Sequence, residues 1–181
     1  MGRQEQTNHL FSNRDLRILL VPLIVEQILN SLMGTADSIM VSNVGSAAIS
    51  AVSLVDSINI LVIQAFYALA AGGTIVCSQY IGQKDKKNAE ESARQLSFVV
   101  ACISSAVMAV CLLTRGPLLR LIFGSVEADV MEAAQTYFFY TALSFPFIAL
   151  YDAGSSIYRA QGNTRLPMTI AVVSNGLNIA G

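Results

Sequence analysis

The sequence is poor in charged residues and has no tryptophan. Charged residues make up 13% of the 181 residues, whereas soluble domains carry roughly 25%. Hydrophobic residues make up 54% of the chain, and its mean hydropathy is +0.56. Because tryptophan is absent, any aromatic belt at a membrane interface must use tyrosine. This composition is typical of a membrane protein, and we expect the lipid bilayer rather than nucleic acid as its surroundings.

Histidine and cysteine occur in no pattern that would support catalysis or metal binding. The single histidine, His9, lies in a polar N-terminal segment. Cys77, Cys102 and Cys111 lie in apolar segments without metal-ligand or redox spacing, so we interpret them as small core residues. The chain also lacks the His-Glu-x-x-His and Gly-x-Gly-Asp motifs of intramembrane zinc and aspartyl hydrolases. We therefore predict a protein that is not an enzyme and needs no cofactor.

Five apolar segments dominate the chain, at residues 18–41, 47–77, 96–114, 133–158 and 166–181. About 20 apolar residues cross a bilayer as a helix, so the first four are long enough, and the fifth is short because the sequence stops within it. Residues up to Asp15 are polar, and the apolar segment that follows is too long for the core of a cleavable signal. We predict an all-α polytopic membrane bundle of about five transmembrane helices, with a tail at 1–15 and the membrane part at 16–181.

Basic residues are distributed unequally between the two ends of these segments. If the segments alternate in direction, the N-terminal tail and the second and fourth connections hold nine lysines and arginines on one side. The other side holds only Arg115 and Arg120. Basic loops stay in the cytoplasm, so we predict a cytoplasmic N-terminus in a multi-pass protein of the plasma (inner) membrane.

One face of the first apolar segment is polar. At 100° per residue, Pro22, Asn30 and Asp37 all lie within about 40° of Glu26 around the helix. An ionised side chain inside a membrane costs about 2.5–3.5 kcal/mol on insertion scales and is usually functional. We expect this stripe to face the protein interior or a wet cavity. Pro22 removes one backbone hydrogen bond, and we interpret it as a hinge.

The predicted spans contain two further acids, Asp56 and Asp152. We interpret Asp56 as a solvated or capping residue near the outer surface, and we expect Asp152 to pair with Arg159 or with a cytoplasmic group. Glu26 could act either in a cavity or as a structural hydrogen-bond acceptor. No lysine or arginine falls within the spans. An interior lined by acids alone has a negative potential and would prefer cationic solutes.

Small residues in the second segment are candidates for close helix packing. In lipid, helices associate through small residues that let their backbones approach. The second segment offers three such sets: Ala47/Ala51, Ala68/Gly72 and the run from Ala70 to Gly73.

Four stretches, in this order and at this spacing, resemble the multidrug and toxic compound extrusion (MATE) transporters. The resemblance covers about residues 16–181. The first two stretches are Pro22-Leu-Ile-Val-Glu26-Gln27 with Ala36-Asp37-Ser-Ile-Met-Val-Ser and Gly45, and Ala70-Ala-Gly-Gly-Thr with Ser78-Gln79-Tyr80-Ile-Gly82-Gln-Lys-Asp85 and Ala89. The others are Arg159-Ala-Gln-Gly162-Asn-Thr-Arg-Leu-Pro167-Met168, and Asn175 with Asn178-Ile179.

The resemblance implies a twelve-helix antiporter with two six-helix lobes, in which substrate leaves in exchange for inward Na⁺ or H⁺. It implies that Asp37 lines the N-lobe cavity and takes part in cation coupling, and that Pro22 bends the first helix. It also places Asn178 in the same polar cluster, and we add Asn175 and Asn30 to that candidate site. The sixth helix and the C-terminal lobe would lie outside this chain. Because alternating access needs two halves, we expect this fragment alone not to transport.

The coupling ion and the substrate remain open between alternatives. A buried carboxylate at Asp37 suits protons, and amide oxygens such as that of Asn178 suit Na⁺, a hard cation. We expect small cationic or amphipathic substrates. A flippase of the same superfamily, moving a lipid-linked oligosaccharide, is an alternative that would need basic residues in its cavity. A non-transporting membrane scaffold is another, although a polar stripe through the bilayer is an unnecessary cost for a scaffold.

Overall fold

The computed structural model describes residues 13–42, 45–124 and 126–180, apart from some side chains within them. Five helices follow one another along this part of the chain. They are α1 (Asn13–Ser42), α2 (Ser46–Gly82), α3 (Lys86–Phe123), α4 (Ala128–Ala160) and α5 (Arg165–Ala180). The predicted all-α fold is confirmed, with helices that extend past the predicted apolar segments at most ends.

The helix ends follow local chemistry. Gly45 precedes α2 with φ 132°, and Gly124 ends α3 with φ 65° while donating its N–H to the carbonyl of Arg120 at 2.9 Å. Both conformations favour glycine, which has no Cβ to clash with the backbone. Asp85 caps α3 by accepting a hydrogen bond from the backbone N–H of Asn88 at 3.2 Å. These signals keep the connections short, so successive helices run antiparallel.

The core lies among α2, α3 and α4, which pack most closely on one another. Val55 of α2, Val100 of α3 and Phe138 of α4 are fully buried there. Phe66 and Phe145 meet edge to face, with ring centroids 6.0 Å apart. By contrast, α1 packs mainly against α5 and less against α2. The bundle is therefore a three-helix core with an α1–α5 pair at its side.

Small residues do bring α2 and α3 together, but not all the predicted ones. Ala51 and Ala70 are buried, and a Cβ added to Gly73 would overlap the side chain of Leu96 on α3. The prediction for Ala68/Gly72 is wrong, because both residues are exposed and nothing lies near the missing Cβ of Gly72. The register of α2 relative to α3 decides which small residues meet a neighbour, and that register depends on tertiary packing.

The outer face of the bundle is apolar. Leu113 is 85% exposed and Leu121 is 84% exposed, and many other large apolar side chains also point outward. Within the described residues, three helices are long and apolar enough to cross a membrane, over Leu16–Thr35, Ser46–Gly82 and Lys86–Phe123. Helix α4, with 33 residues, is not among these three, although its apolar segment at 133–158 was predicted to cross the membrane.

Candidate functional site

A polar cavity of about 640 Å³ lies between α1, α2 and α4, and we call it the Glu26 cavity. Helix α1 contributes one turn of polar residues, and α4 contributes residues from its C-terminal third, because the two helices run antiparallel. The lining consists of Leu23, Glu26, Gln27 and Asn30 from α1, Ile63, Gln64 and Tyr67 from α2, and Tyr151, Asp152 and Arg159 from α4. Two residues of the polar stripe of α1 line this space, Glu26, which is buried, and Asn30, which is exposed.

A partly buried ion pair lines this cavity. The Arg159 Nη2 atom donates to Glu26 Oε1 at 2.6 Å, with side-chain exposures of 28% for Arg159 and 3% for Glu26. The Tyr151 hydroxyl also donates to Glu26 Oε1, at 3.4 Å. Burial of a charged group is costly unless the group is paired and hydrogen-bonded, as Glu26 is here. The pair therefore ties the middle of α1 to the end of α4.

Part of the hydrogen-bonding capacity in the cavity is unused. Within the described residues, Glu26 Oε2 and Arg159 Nε are buried and have no hydrogen-bond partner. Asp152 lines the same space, one residue after Tyr151 on α4. The lining holds two acidic side chains and one basic side chain, so it favours a positively charged guest over a negatively charged one.

The structure corrects the predicted partners of the acids near this end of the bundle. Arg159 pairs with Glu26 rather than with Asp152, because its long side chain extends from α4 to α1, although the backbones of these two helices do not pack closely on each other. The prediction that the interior has no basic residue is also wrong, since the Arg159 guanidinium lines the cavity. Arg159 lies one residue beyond the predicted fourth segment, and its long side chain reaches back into the bundle. The sequence held one signal for this position of Arg159. It follows Asp152 by seven residues, or about two helical turns, so the two residues lie on the same face of α4.

The interpretation of Asp56 as a solvated or capping residue is wrong. Its Oδ1 atom accepts a hydrogen bond from the Tyr137 hydroxyl at 3.1 Å and from Asn59 Nδ2 at 3.4 Å. Asn59 is 7% exposed. Asp56 therefore joins α2 to α4 through a partly buried polar contact, away from the residues that line the Glu26 cavity.

The remaining predicted site residues are distributed over α1 and α5. The side chain of Asp37 lies outside the described residues, so its role, and Na⁺ binding with Asn178, stay predictions. Asn175 is buried and donates to the carbonyl of Ala171 in its own helix at 2.9 Å, and Asn178 is half-buried. Neither asparagine lines the Glu26 cavity. Helix α5 packs mainly against α1, which is the helix that carries Asp37.

Pro22 is buried inside α1, and the helix continues without interruption on both sides of it. Its predicted action as a hinge stays a prediction. No group of three or more His, Cys, Asp or Glu residues suited to a metal ion occurs in the part of the chain that the structure describes.

Several cavity residues were not predicted from the sequence, namely Gln27, Gln64, Tyr67 and Tyr151. Gln64 is a polar residue of the second segment, but nothing in its spacing assigns it to a site. The aromatic residues look like interface or core residues in the sequence. Only the approach of α2 and α4 to α1 brings them to one space.

Within the described residues, a helical bundle with an apolar exterior, an apolar core and one charged cavity is typical of a polytopic membrane protein. Residues 22–181 match the MatE family, and the chain belongs to that family. This confirms the resemblance drawn from the sequence, and with it the predicted class, a family of membrane transporters rather than of enzymes.

Named relatives agree with this assignment. The chain is 33% identical over 177 residues to the "Uncharacterized transporter YisQ" of Bacillus subtilis (strain 168), covering 98% of this chain and 37% of that protein. It is 26% identical over 169 residues to the "Probable multidrug resistance protein NorM" of Thermotoga maritima, covering 92% and 35% of the two chains. The chain thus spans little more than a third of the length of these relatives.

The fold agrees with solved structures. A MOP superfamily transporter from Pyrococcus furiosus superposes with a TM-score of 0.85 at 23% identity, over 92% of this chain and 36% of that one. A structure described as MATE in the straight conformation superposes with a TM-score of 0.83 at 22% identity, over 94% of this chain and 40% of that one. At these identities the likeness shows the shared fold alone.

Proposed function

We propose that this chain forms the first five helices of the N-lobe of a cation-coupled antiporter. The antiporter would export cationic or amphipathic organic compounds across the plasma membrane. The observation that carries the proposal is the Glu26 cavity, a polar space with two acids and an ion pair inside an otherwise apolar bundle. Such charges are costly in a membrane and are retained mainly for binding or moving ions and solutes. The family, and relatives described as a transporter and as a multidrug resistance protein, support the same reading.

In this proposal Asp37 binds the coupling ion, Na⁺ or H⁺, with help from Asn178, Asn175 and Asn30. Ion binding changes the charge on the inner face of α1 and so alters the affinity for a cationic substrate. Pro22 lies fifteen residues before Asp37 in the same helix. Because proline weakens the hydrogen bonding of the turn before it, bending there would accompany the change in charge.

We further propose that the N-terminus is cytoplasmic and that transport requires a second lobe joined to this one. Alternating access is largely a rocking of one half of a transporter against the other around a central site. The apolar side chains exposed on α1, such as Ile24 and Ile28, would then face lipid or the second lobe.

The test is the Asp37→Asn substitution in the protein with both lobes, reconstituted in liposomes. Efflux of a fluorescent organic cation is followed under an imposed Na⁺ gradient and, separately, under a proton gradient. We expect gradient-driven efflux to fall by at least about tenfold, because the removed charge contributes a charge-assisted interaction with the ion. The Asp56→Asn variant removes one charge outside the proposed site and serves as the control. Unchanged gradient-driven efflux in Asp37→Asn would contradict the proposal.

The Arg159 guanidinium in the cavity favours the flippase as a second candidate, since a basic group could hold the phosphate of a lipid-linked sugar. The pairing of Arg159 with Glu26 weighs against a flippase, because the Arg159 Nη2 atom already donates to the Glu26 carboxylate. Movement of a lipid-linked sugar in the same liposomes, with no efflux of organic cations, would favour the flippase.

A further inference from the structure

Two arginines, Arg17 of α1 and Arg165 of α5, lie at the same end of the α1–α5 pair. We propose that they bind the phosphate of one anionic phospholipid, with one acyl chain of that lipid along the exposed face of α1. The inference goes beyond the proposed transport function, which assigns no role to either arginine or to a bound lipid.

A hydrogen bond between α1 and the α4–α5 connection brings the two arginines together. Pro22 has no N–H, so the carbonyl of Ile18, four residues earlier, lacks the donor that a helix would offer it. The Thr164 hydroxyl donates to that carbonyl at 3.3 Å, and Thr164 is 4% exposed. Arg17 and Arg165 are the chain neighbours of the two bonded residues. The hydrogen bond therefore places arginines that are distant in sequence at adjacent ends of α1 and α5.

Both arginines are available to a ligand. Each is exposed, and neither forms an ion pair within the described residues. Helix α5 contains no acidic residue. Over residues 13–18 and 163–168 the sequence holds three basic residues, Arg14, Arg17 and Arg165, and one acid, Asp15, which leaves an excess of two positive charges. Positive charges concentrated at this end of the pair favour an anion.

An apolar groove on α1 begins one turn after Arg17. It has a volume of about 380 Å³ and is lined by Leu20, Leu23, Ile24, Gln27, Ile28 and Ser31. At 100° per residue, Leu20, Ile24 and Ile28 lie on the same face of α1 as Arg17. These three side chains are more than half exposed. From its first to its last residue the groove extends about 16 Å along the helix, which gives an acyl chain room to lie beside it.

The two arginines lie at the depth expected for a phospholipid phosphate. The apolar segments of α1 and α5 begin at residues 18 and 166, directly after Arg17 and Arg165. Arginine side chains at the ends of such segments extend into the headgroup layer. A guanidinium group can hold a phosphate through two parallel N–H donors, so one phosphate between the arginines would contact both helices. The predicted orientation places this end in the cytoplasmic leaflet, which carries the anionic lipids.

The test uses the protein with both lobes, purified in detergent, where binding does not depend on orientation in a membrane. The probes are palmitoyl-oleoyl phosphatidylglycerol, which is anionic, and palmitoyl-oleoyl phosphatidylcholine, which has the same chains but no net charge. Native mass spectrometry gives the Kd of the first lipid bound. We expect the anionic lipid to bind at least about tenfold more tightly, because its phosphate brings no second, positive group beside the arginines.

Variants then assign the site. Arg17→Gln and Arg165→Gln should each weaken binding of the anionic lipid by at least about tenfold. Arg165→Lys keeps the charge but loses the paired donors, so its Kd should lie between those of the unsubstituted protein and Arg165→Gln. Lys87→Gln is the matched control, because Lys87 is exposed at the start of α3, which does not pack on α1 or α5. It should alter Kd by less than about twofold.

A competition experiment separates a lipid from a free phosphate. Glycerol 3-phosphate carries a phosphate but no acyl chain, and at the same concentration it should not displace phosphatidylglycerol, because it cannot occupy the groove. Complete displacement would show a site for free phosphate and would overturn the inference.

Three further results would overturn it: equal affinity for the two lipids, equal weakening by Arg17→Gln and Lys87→Gln, or no bound lipid at all. Equal weakening would show general attraction to surface charge, and no bound lipid would show that the second lobe covers this face. Size-exclusion profiles and Tm values confirm that each variant is folded. If Arg17→Gln does not fold, the comparison of Arg165→Gln with Lys87→Gln decides.

Discussion

At the scale of single residues, the Glu26–Arg159 ion pair is the most consequential feature of the structure. It joins α1 to α4, although α1 otherwise packs mainly on α5. Its two members differ in depth, since the Glu26 side chain is 3% exposed and that of Arg159 is 28% exposed. Because of this difference, we expect removal of Arg159 and removal of Glu26 to lower the stability of the protein by different amounts.

Arg159→Gln should destabilise the protein more than Glu26→Gln. The first change leaves a buried carboxylate without its cation, which costs about 3–5 kcal/mol. The second leaves a guanidinium that can swing toward solvent on its long side chain. The double variant should be more stable than Arg159→Gln alone, because neither charge is then left without a partner. Thermal unfolding in detergent measures all three.

An exposed pair on α3 is the matched control. Arg94 bonds to Glu91 at 2.8 Å, but their side chains are 78% and 45% exposed. Hydrogen bonds from Arg94 and Gln95, together with the Arg94 charge, lower the pKa of Glu91 below its usual value. A lowered pKa means that this contribution is present at neutral pH and is lost as the pH falls through the folded-state value. Because water screens the pair, its contribution is small, and Arg94→Gln should lower the Tm only slightly. A loss as large as that from Arg159→Gln would contradict this account.

At the scale of helices, α2 packs on α3 through a face that sequence spacing does not identify. Gly72 and Gly73 are adjacent in one helix, yet only Gly73 faces Leu96. The side chain of Leu96 is buried, so it has little room to move. This pair of neighbouring glycines allows a direct test of the packing.

Gly73→Val should destabilise the protein by about 1–3 kcal/mol through overpacking against Leu96. Gly72→Val introduces the same side chain at an exposed position and should be close to neutral, since valine has a better helix propensity than glycine. Shortening the neighbour in a Gly73→Val/Leu96→Ala variant should recover part of the loss. Chemical denaturation in detergent gives the free energies of unfolding, and equal losses at the two glycines would disprove the predicted contact.

At the scale of the whole molecule, the bundle has an apolar exterior and charged groups at the α1–α2–α4 junction. The predicted orientation places the α2–α3 connection, with Lys86, in the cytoplasm and the α3–α4 connection, with Glu127, outside. Both residues are exposed at helix ends. They therefore report the direction in which the chain crosses the membrane.

In a variant that lacks the native cysteines, Glu127→Cys should react with a membrane-impermeant maleimide on intact cells. Lys86→Cys should react only after the cells are opened, because the basic loops are expected on the cytoplasmic side. Labelling of Lys86→Cys alone on intact cells would reverse the predicted orientation. Labelling of both or neither would show that the helices do not alternate as proposed.

The sequence predicted the helices well and the contacts between them poorly. The apolar segments at 47–77 and 96–114 led directly to α2 and α3, because helix formation depends on nearby residues, although α3 extends beyond its segment at both ends. Partners more than a hundred residues apart, such as Glu26 and Arg159, follow no local rule. The predicted pairing of Arg159 with Asp152 is wrong because the prediction used only the spacing of residues within one helix.

By itself, the sequence determined the class of the protein, the order and approximate limits of its helices, its family, and the polar face of α1. These properties depend on composition and on the 3.6-residue period of a helix, and both follow directly from the order of residues in the sequence. Only the tertiary structure decided that Arg159 pairs with Glu26, that Asp56 accepts a hydrogen bond from Tyr137, and that Glu26 and Asp152 line one cavity. Those outcomes depend on how α1 and α2 lie against α4, and the free energy of such packing is set by residues distant from one another in the sequence.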